Sequence, residues 1–147
     1  FQVAVGEQNG TIEMVMPVVN HVPMHGLSHV VGVEKNGNDS GLKSAVQMIY
    51  LDEFNVLLNS GKRVTAIKID IENFEYYALK GAQKIIAAHR PVIYCELWDN
   101  EYRGKCIGLL NNLGYSAFVL QGKELVRVEN AAVEKHNFFF LPNSLTD

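Results

Sequence analysis

The hydrophobic positions change period along this chain, and the changes mark out its elements. Residues 64–71 (VTAIKIDI) alternate, with Ile67, Ile69 and Ile71 on one side and Lys68, Asp70 and Glu72 on the other, which predicts a strand. Residues 74–89 (FEYYALKGAQKIIAAH) switch to helical spacing, placing Phe74, Ala78, Ala82, Ile85, Ile86 and His89 on one stripe before Arg90-Pro91 ends it. Residues 91–97 (PVIYCEL) form a near-continuous apolar run, the signature of a buried strand. Strand, helix and strand joined by short links predict a right-handed, parallel βαβ unit in a buried sheet.

The flanking segments carry weaker patterns. Residues 1–19 hold two β-rich runs split by Glu7-Gln8-Asn9-Gly10, where Asn-Gly predicts a tight turn, so this reads as a strand leading into a hairpin. Residues 20–40 are rich in Gly, Asn, His and Ser and read as loop or weak strand, a mobile or substrate-facing segment. Residues 43–51 (KSAVQMIYL) are strand-like, and Asp52 stands where it would cap a short helix over 53–59 that Ser60-Gly61 ends. An amphipathic helix is predicted over 103–113 with Gly114 at its left-handed cap. Strands follow over 115–120, 124–128 and 137–142 (NFFFLP), which makes the C-terminal end antiparallel. The predicted fold class is α/β, with a mostly parallel sheet and an antiparallel C-terminal hairpin.

Composition narrows this picture. With 147 residues, 48% of them hydrophobic, the chain can bury one core, so residues 1–147 are expected to form a single domain. A net charge of -3 gives no electrostatic footprint for nucleic acid or anionic lipid. No apolar run approaches the roughly 20 residues that span a bilayer, and no charged leader precedes a short apolar core. A soluble, cytoplasmic protein is expected. The chain opens on Phe1 and runs at once into a strand-like stretch, which suggests that something upstream has been removed. Cys95 and Cys106 lack CxxC spacing and are expected to be buried free thiols.

The candidate chemistry lies on the charged side of the βαβ unit. Lys68, Asp70 and Glu72 on a strand buried on both faces would lose their hydration, so they must pair or reach a cleft. Ligands of open α/β sheets sit at the carboxyl ends of the strands, where Asp70 and Glu72 end one strand and Glu96 ends the next. Three carboxylates can there hold a substrate hydroxyl or a divalent cation, or raise one member's pKa for general-base work. The structural alternative is an ion pair of Lys68 with Asp70 or Glu72, with helix capping by Asn73 and Glu75. Trp98 is a candidate substrate-facing wall or ordinary packing. His21, His25 and His29 recur every four residues, but Pro23 and Gly26 between them break the helix that would gather them around a metal. Phe138-Phe139-Phe140 reads as strand core.

The run IKIDIENFEYYALKGA at 67–82, followed by RPVIYCE at 90–96, closely resembles the FkbM-type methyltransferase signature, K-x-D-x-E-G-x-E, then L-x-G-A, then a P-x-I-x-x-E strand. VAVGEQNGTIEM near the start and YLDEF at 50–54 resemble that family's third strand with its following hairpin and its T-L-D-x-x segment. Asn73 stands where the family has Gly, and Asn tolerates a left-handed backbone. The resemblance implies a Rossmann-like domain that transfers a methyl group from S-adenosylmethionine to a hydroxyl of a small molecule or glycan, with no metal required. It implies Asp70 as the residue that orients or deprotonates the acceptor and Glu72 and Glu96 as the polar end of the cleft, with Lys68 neutralising this acid cluster rather than reacting; Lys68, Glu75 and Trp98 are the candidate acceptor contacts. The family's glycine-rich donor loop has no match in the chain. The expectation is therefore a partial Rossmann-like methyltransferase fold, the second half of the domain, which binds the donor weakly and shows little activity alone. The alternatives are a non-catalytic binding module, or a subunit that forms homo-oligomers through an exposed sheet edge.

Overall fold

The computed structural model describes residues 1–33, 39–54, 59–129 and 132–145. Two mixed sheets and three helices make up the described part. The first sheet contains β1 (Ala4–Gly6), β2 (Gly10–Val19), β3 (Val22–Pro23), β4 (His29–Val30) and β5 (Gly41–Tyr50). β1 and β2 do not pair with each other, contrary to a hairpin between the two N-terminal runs. β5 lies between them, parallel to β1 (Ala4↔Met48) and antiparallel to β2 (Gly10↔Met48 through Pro17↔Gly41). The Asn9-Gly10 turn docks on the end of β5: Tyr50 N donates to Asn9 Oδ1 at 2.8 Å, and Asn9 Nδ2 donates to Glu53 at 3.2 Å. Flanking β5 on both edges buries Met48 and Ile49, which a two-stranded hairpin would leave open.

The second sheet contains β6 (Ala66–Ile69), β7 (Val92–Glu96), β8 (Tyr115–Gln121), β9 (Glu124–Val128) and β10 (Asn137–Pro142), in the order β6-β7-β10-β8-β9. β6 and β7 are parallel, Ala66↔Val92 through Ile69↔Cys95, so the βαβ unit is present. The sheet is not mostly parallel, however. β10 enters between β7 and β8 and runs antiparallel to both, and the β8–β9 hairpin is antiparallel as predicted. The physical reason is apolarity: β10 carries Phe138 and Phe140, and the middle of the sheet is where both become fully buried.

The helix between β6 and β7 is broken into α1 (Glu75–Lys80) and α2 (Gln83–His89). Gly81 makes the break. A Cβ there would stand 1.9 Å from Gly6 O, so only glycine lets β1 approach this closely. Gly81 O accepts Asp52 N at 2.8 Å, and the Asp52 carboxylate takes Lys84 N at 2.8 Å and Ile85 N at 2.9 Å. Ala82, which precedes α2, has no capping side chain, so Asp52 supplies the cap from a distant part of the chain. The cap falls on α2 rather than on a helix of Asp52's own. Leu51–Glu53 is a single 3-10 turn, and most of the helix predicted over 53–59 lies outside the described residues. Arg90 ends α2 in the left-handed conformation (φ 51°).

α3 (Glu101–Asn112) starts two residues earlier than its apolar spacing indicates, because Asn100 Oδ1 caps it through Tyr102 N. Leu79, Ile86, Cys106, Ile107 and Leu110 from the three helices pack with Ile69, Ile93, Cys95, Ala117, Val119, Phe138 and Phe140 in one core. Both cysteines are free and buried, and burial pushes both thiols up, Cys106 to about 12. The opposite face of the sheet differs from expectation. Lys68, Asp70, Tyr94, Phe118 and Phe139 alternate onto it and stay half-buried or exposed, so β6 is not buried on both faces. No helix among the described residues is long and apolar enough to cross a membrane.

Candidate functional site

The parallel ladder of β6 and β7 ends at Ile69↔Cys95, which makes Asp70 and Glu96 the next residues on two adjacent strands. Their side chains share a face, and each carboxyl shifts the proton affinity of the other. Lys68, two residues back on the same face, places Nζ 2.8 Å from Asp70 Oδ2. Side-chain exposures of 64% for Lys68 and 40% for Asp70 show a solvent-reached rim, so neither charge bears the desolvation that a buried strand would impose. The hydrogen bond from Lys68 holds the Asp70 carboxyl below the usual range, and the same bond raises Lys68. Partial burial, then the Asp70 carboxyl and the charge of Glu72, push Glu96 up. The two acids are thereby driven apart.

The turn after Asp70 is unusual. Glu72 (φ 53°) and Asn73 (φ 69°) are consecutive left-handed residues, a conformation costly for side-chain-bearing residues and least so for Asn. Glu75 holds this turn. Its side chain is 3% exposed and accepts Ile71 N at 3.0 Å together with the amides of Asn73 and Glu75 itself. Burial pushes its pKa up while those amides oppose the shift. Glu75 is thus engaged with backbone beneath the rim, whereas the Glu72 charge acts on both Glu75 and Glu96.

On the β7 side, Trp98 is 43% exposed, and its ring lies 4.7 Å from that of His136. The backbone beneath it is organised by Arg103, which is 1% exposed. Its guanidinium donates to Leu97 O (3.0 and 3.2 Å), Trp98 O (3.2 Å) and Val133 O (2.9 Å), and pairs with Asp99 at 3.3 Å. Arg103 and Asn100 were not among the residues singled out from sequence, and Asp52 was expected to cap a helix of its own rather than α2. For Arg103 a signal existed: positions 103, 106, 107 and 110 fall on one helical stripe whose other members, Cys106, Ile107 and Leu110, are buried core.

The remaining candidates lie elsewhere. His21 sits in the β2–β3 turn and His25 in a 3-10 turn. His29, on β4, bonds Leu27 O through Nδ1 and places Nε2 3.6 Å from Asp39. Among the described residues no three His, Cys, Asp or Glu side chains are grouped to hold a metal.

A parallel βαβ unit with a carboxyl pair at its strand ends defines an α/β domain whose polar site lies where such sheets bind ligands. The family model described as Methyltransferase FkbM domain matches residues 1–137, spanning the first sheet as well as the βαβ unit, and the chain belongs to this family. No curated protein and no solved structure matches the chain.

Family membership implies S-adenosylmethionine as methyl donor. Among the described residues, a groove of about 140 Å³ on the βαβ unit is lined by Val5, Leu51, Ile67, Lys68, Ile69, Ile71 and the α1–α2 residues Ala78, Ala82 and Ile86. That lies below the ~300 Å³ of ordinary cofactor pockets, and no carboxylate lines it to take a ribose. The groove does not fit the donor.

Proposed function

We propose that these residues carry the acceptor side of an S-adenosylmethionine-dependent O-methyltransferase, with the Asp70–Glu96 pair receiving the acceptor hydroxyl. Family membership supports methyl transfer, and the single observation behind the rest is the carboxyl pair at the common end of β6 and β7, split in proton affinity by Lys68 on one side and partial burial on the other. An acceptor oxygen must lose a proton as it gains a methyl group. A base works best when its proton affinity lies near the working pH, and Glu96 is the member shifted in that direction. In this reading Glu96 removes the hydroxyl proton, Asp70 accepts a hydrogen bond that orients the hydroxyl, and Lys68 keeps Asp70 ionised. Trp98, exposed beside Glu96, offers an apolar wall to a small-molecule or glycan acceptor. Binding of the donor by these residues is expected to be weak, since the groove is small and apolar.

The test is methyl transfer from isotope-labelled donor to a panel of hydroxyl acceptors, measured on the full gene product. Glu96→Gln is expected to slow transfer by about 10²–10⁴-fold, the usual range for losing a general base, while acceptor affinity by calorimetry stays within a few-fold. Because the proton must leave Glu96, the rate should climb as pH rises through Glu96's raised value. Asp70→Asn, which removes part of what raises it, should move that limb to lower pH. A Glu96→Gln protein as fast as wild type would remove the acid pair from the chemistry.

A further inference from the structure

The backbone ladder that aligns β6 with β7 stops one residue short of the carboxyl pair. Beyond the pair, the two following loops are joined again. Asn73, three residues after Asp70, accepts a hydrogen bond on Oδ1 from Nδ2 of Asn100, four residues after Glu96, at 2.5 Å. The orientation of both amides follows from the helix cap: Asn100 Oδ1 is taken by Tyr102 N at 2.8 Å, so its NH₂ faces Asn73, and Asn73 must present oxygen. Asn73 is buried (6% exposed) and held in the left-handed region, where its side chain leaves the turn toward the neighbouring loop. The carboxyls are therefore bracketed, by the ladder on one side and an amide bridge on the other.

We propose that the Asn73–Asn100 bridge is a positioning device that holds the ends of β6 and β7 together so that Asp70 and Glu96 stay side by side. Asn73 and Asn100 are positioning residues and touch no reacting atom. The inference rests on the acid pair being the working end of the site, but its test needs neither donor nor acceptor.

Two replacements remove the bridge while respecting the backbone. Asn73→Gly suits φ 69° better than any other residue, and Asn100→Ser keeps an oxygen to cap α3 while losing the amide donor. The readout is the titration of the Asp70 and Glu96 carboxyls by ¹³C NMR. Each variant is expected to lower the Glu96 midpoint by about half a pH unit, equivalent to roughly 0.7 kcal/mol of lost interaction, as Asp70 moves away. The double variant should add little, because either change alone breaks the bridge. A merely structural role would lower the melting temperature and leave the midpoints in place. Unchanged midpoints in both single variants, whatever the melting temperature, would overturn the proposal. Methyl transfer lost with the midpoints intact would count against this bridge and leave the acid-pair reading standing.

Discussion

The two sheets are built on opposite terms. In the sheet that carries the acid pair, helices cover one face and nearly every buried polar group is tied to named partners: Arg103 to three carbonyls, Glu75 to a turn of amides, Asp52 to the start of α2, Asn73 to Asn100. In the first sheet, β2 and β5 run side by side for most of their length, yet residues 41–45 of β5 are all exposed, on both faces of the strand. Only Val15, Val30, Met48 and Ile49 of its strand hydrophobics are buried, while Val18, Val19, Val22 and Leu42 face solvent. One sheet is fixed by side chains and the other mainly by its backbone ladder. Side-chain substitutions should therefore have large effects in the first case and small ones in the second.

Arg103 should show the largest effect. Truncation to Ala removes a fully buried cation and leaves Leu97 O, Trp98 O and Val133 O without their donor. Breaking such a network costs about 3–5 kcal/mol, a large part of the total stability of a small domain. Urea denaturation is the measurement, and a loss under 1 kcal/mol would mean that solvent reaches those carbonyls readily. Arg103→Lys should recover only part of the loss, since one ammonium cannot span carbonyls on both sides of the guanidinium.

The same contrast explains what was legible in the sequence. The period-two run at 64–71 and the helical stripe after it are local signals, and they gave the βαβ unit and the adjacency of Asp70 and Glu96. NFFFLP was readable as a strand, and its bounds are those observed. Its place between β7 and β8 was not readable, because that depends on which partners bury Phe138 and Phe140. β5 separating β1 from β2 is a choice of the same kind. The stripe through Gly81 is unbroken in sequence, and the break comes from Gly6 and Asp52, residues remote along the chain. The open face of β6 was present in the alternation itself. Lys68 and Asp70 share a side with Tyr94 and Glu96, and the apolar run at 91–97 hid that polarity.

Asp52 separates long-range from local control in an intermediate case. Asp52→Ala deletes the acceptor for two amides at the start of α2 and is expected to cost about 1–2 kcal/mol, the upper range for a cap because the site is buried. Asp52→Asn keeps one oxygen and should cost roughly half as much. Amide exchange at Lys84 and Ile85 should accelerate in Asp52→Ala beyond the rise in global opening. If it tracks global opening only, the cap is not what secures the helix start.

The smallest effect is expected in the ribbon formed by β2 and β5. Lys43 on β5 places Nζ 3.0 Å from Glu13 on β2, with both side chains about half exposed. An exposed pair of this kind contributes roughly 0.2–1 kcal/mol, screened by salt and opposed by side-chain entropy. Lys43→Ala should therefore shift the urea midpoint by little, and the shift should shrink further in 1 M salt, where the screening length falls to about 3 Å. A loss comparable to that of Arg103→Ala would show that the ribbon is held by its side chains after all, and the distinction between the two sheets would then fail at its weaker member.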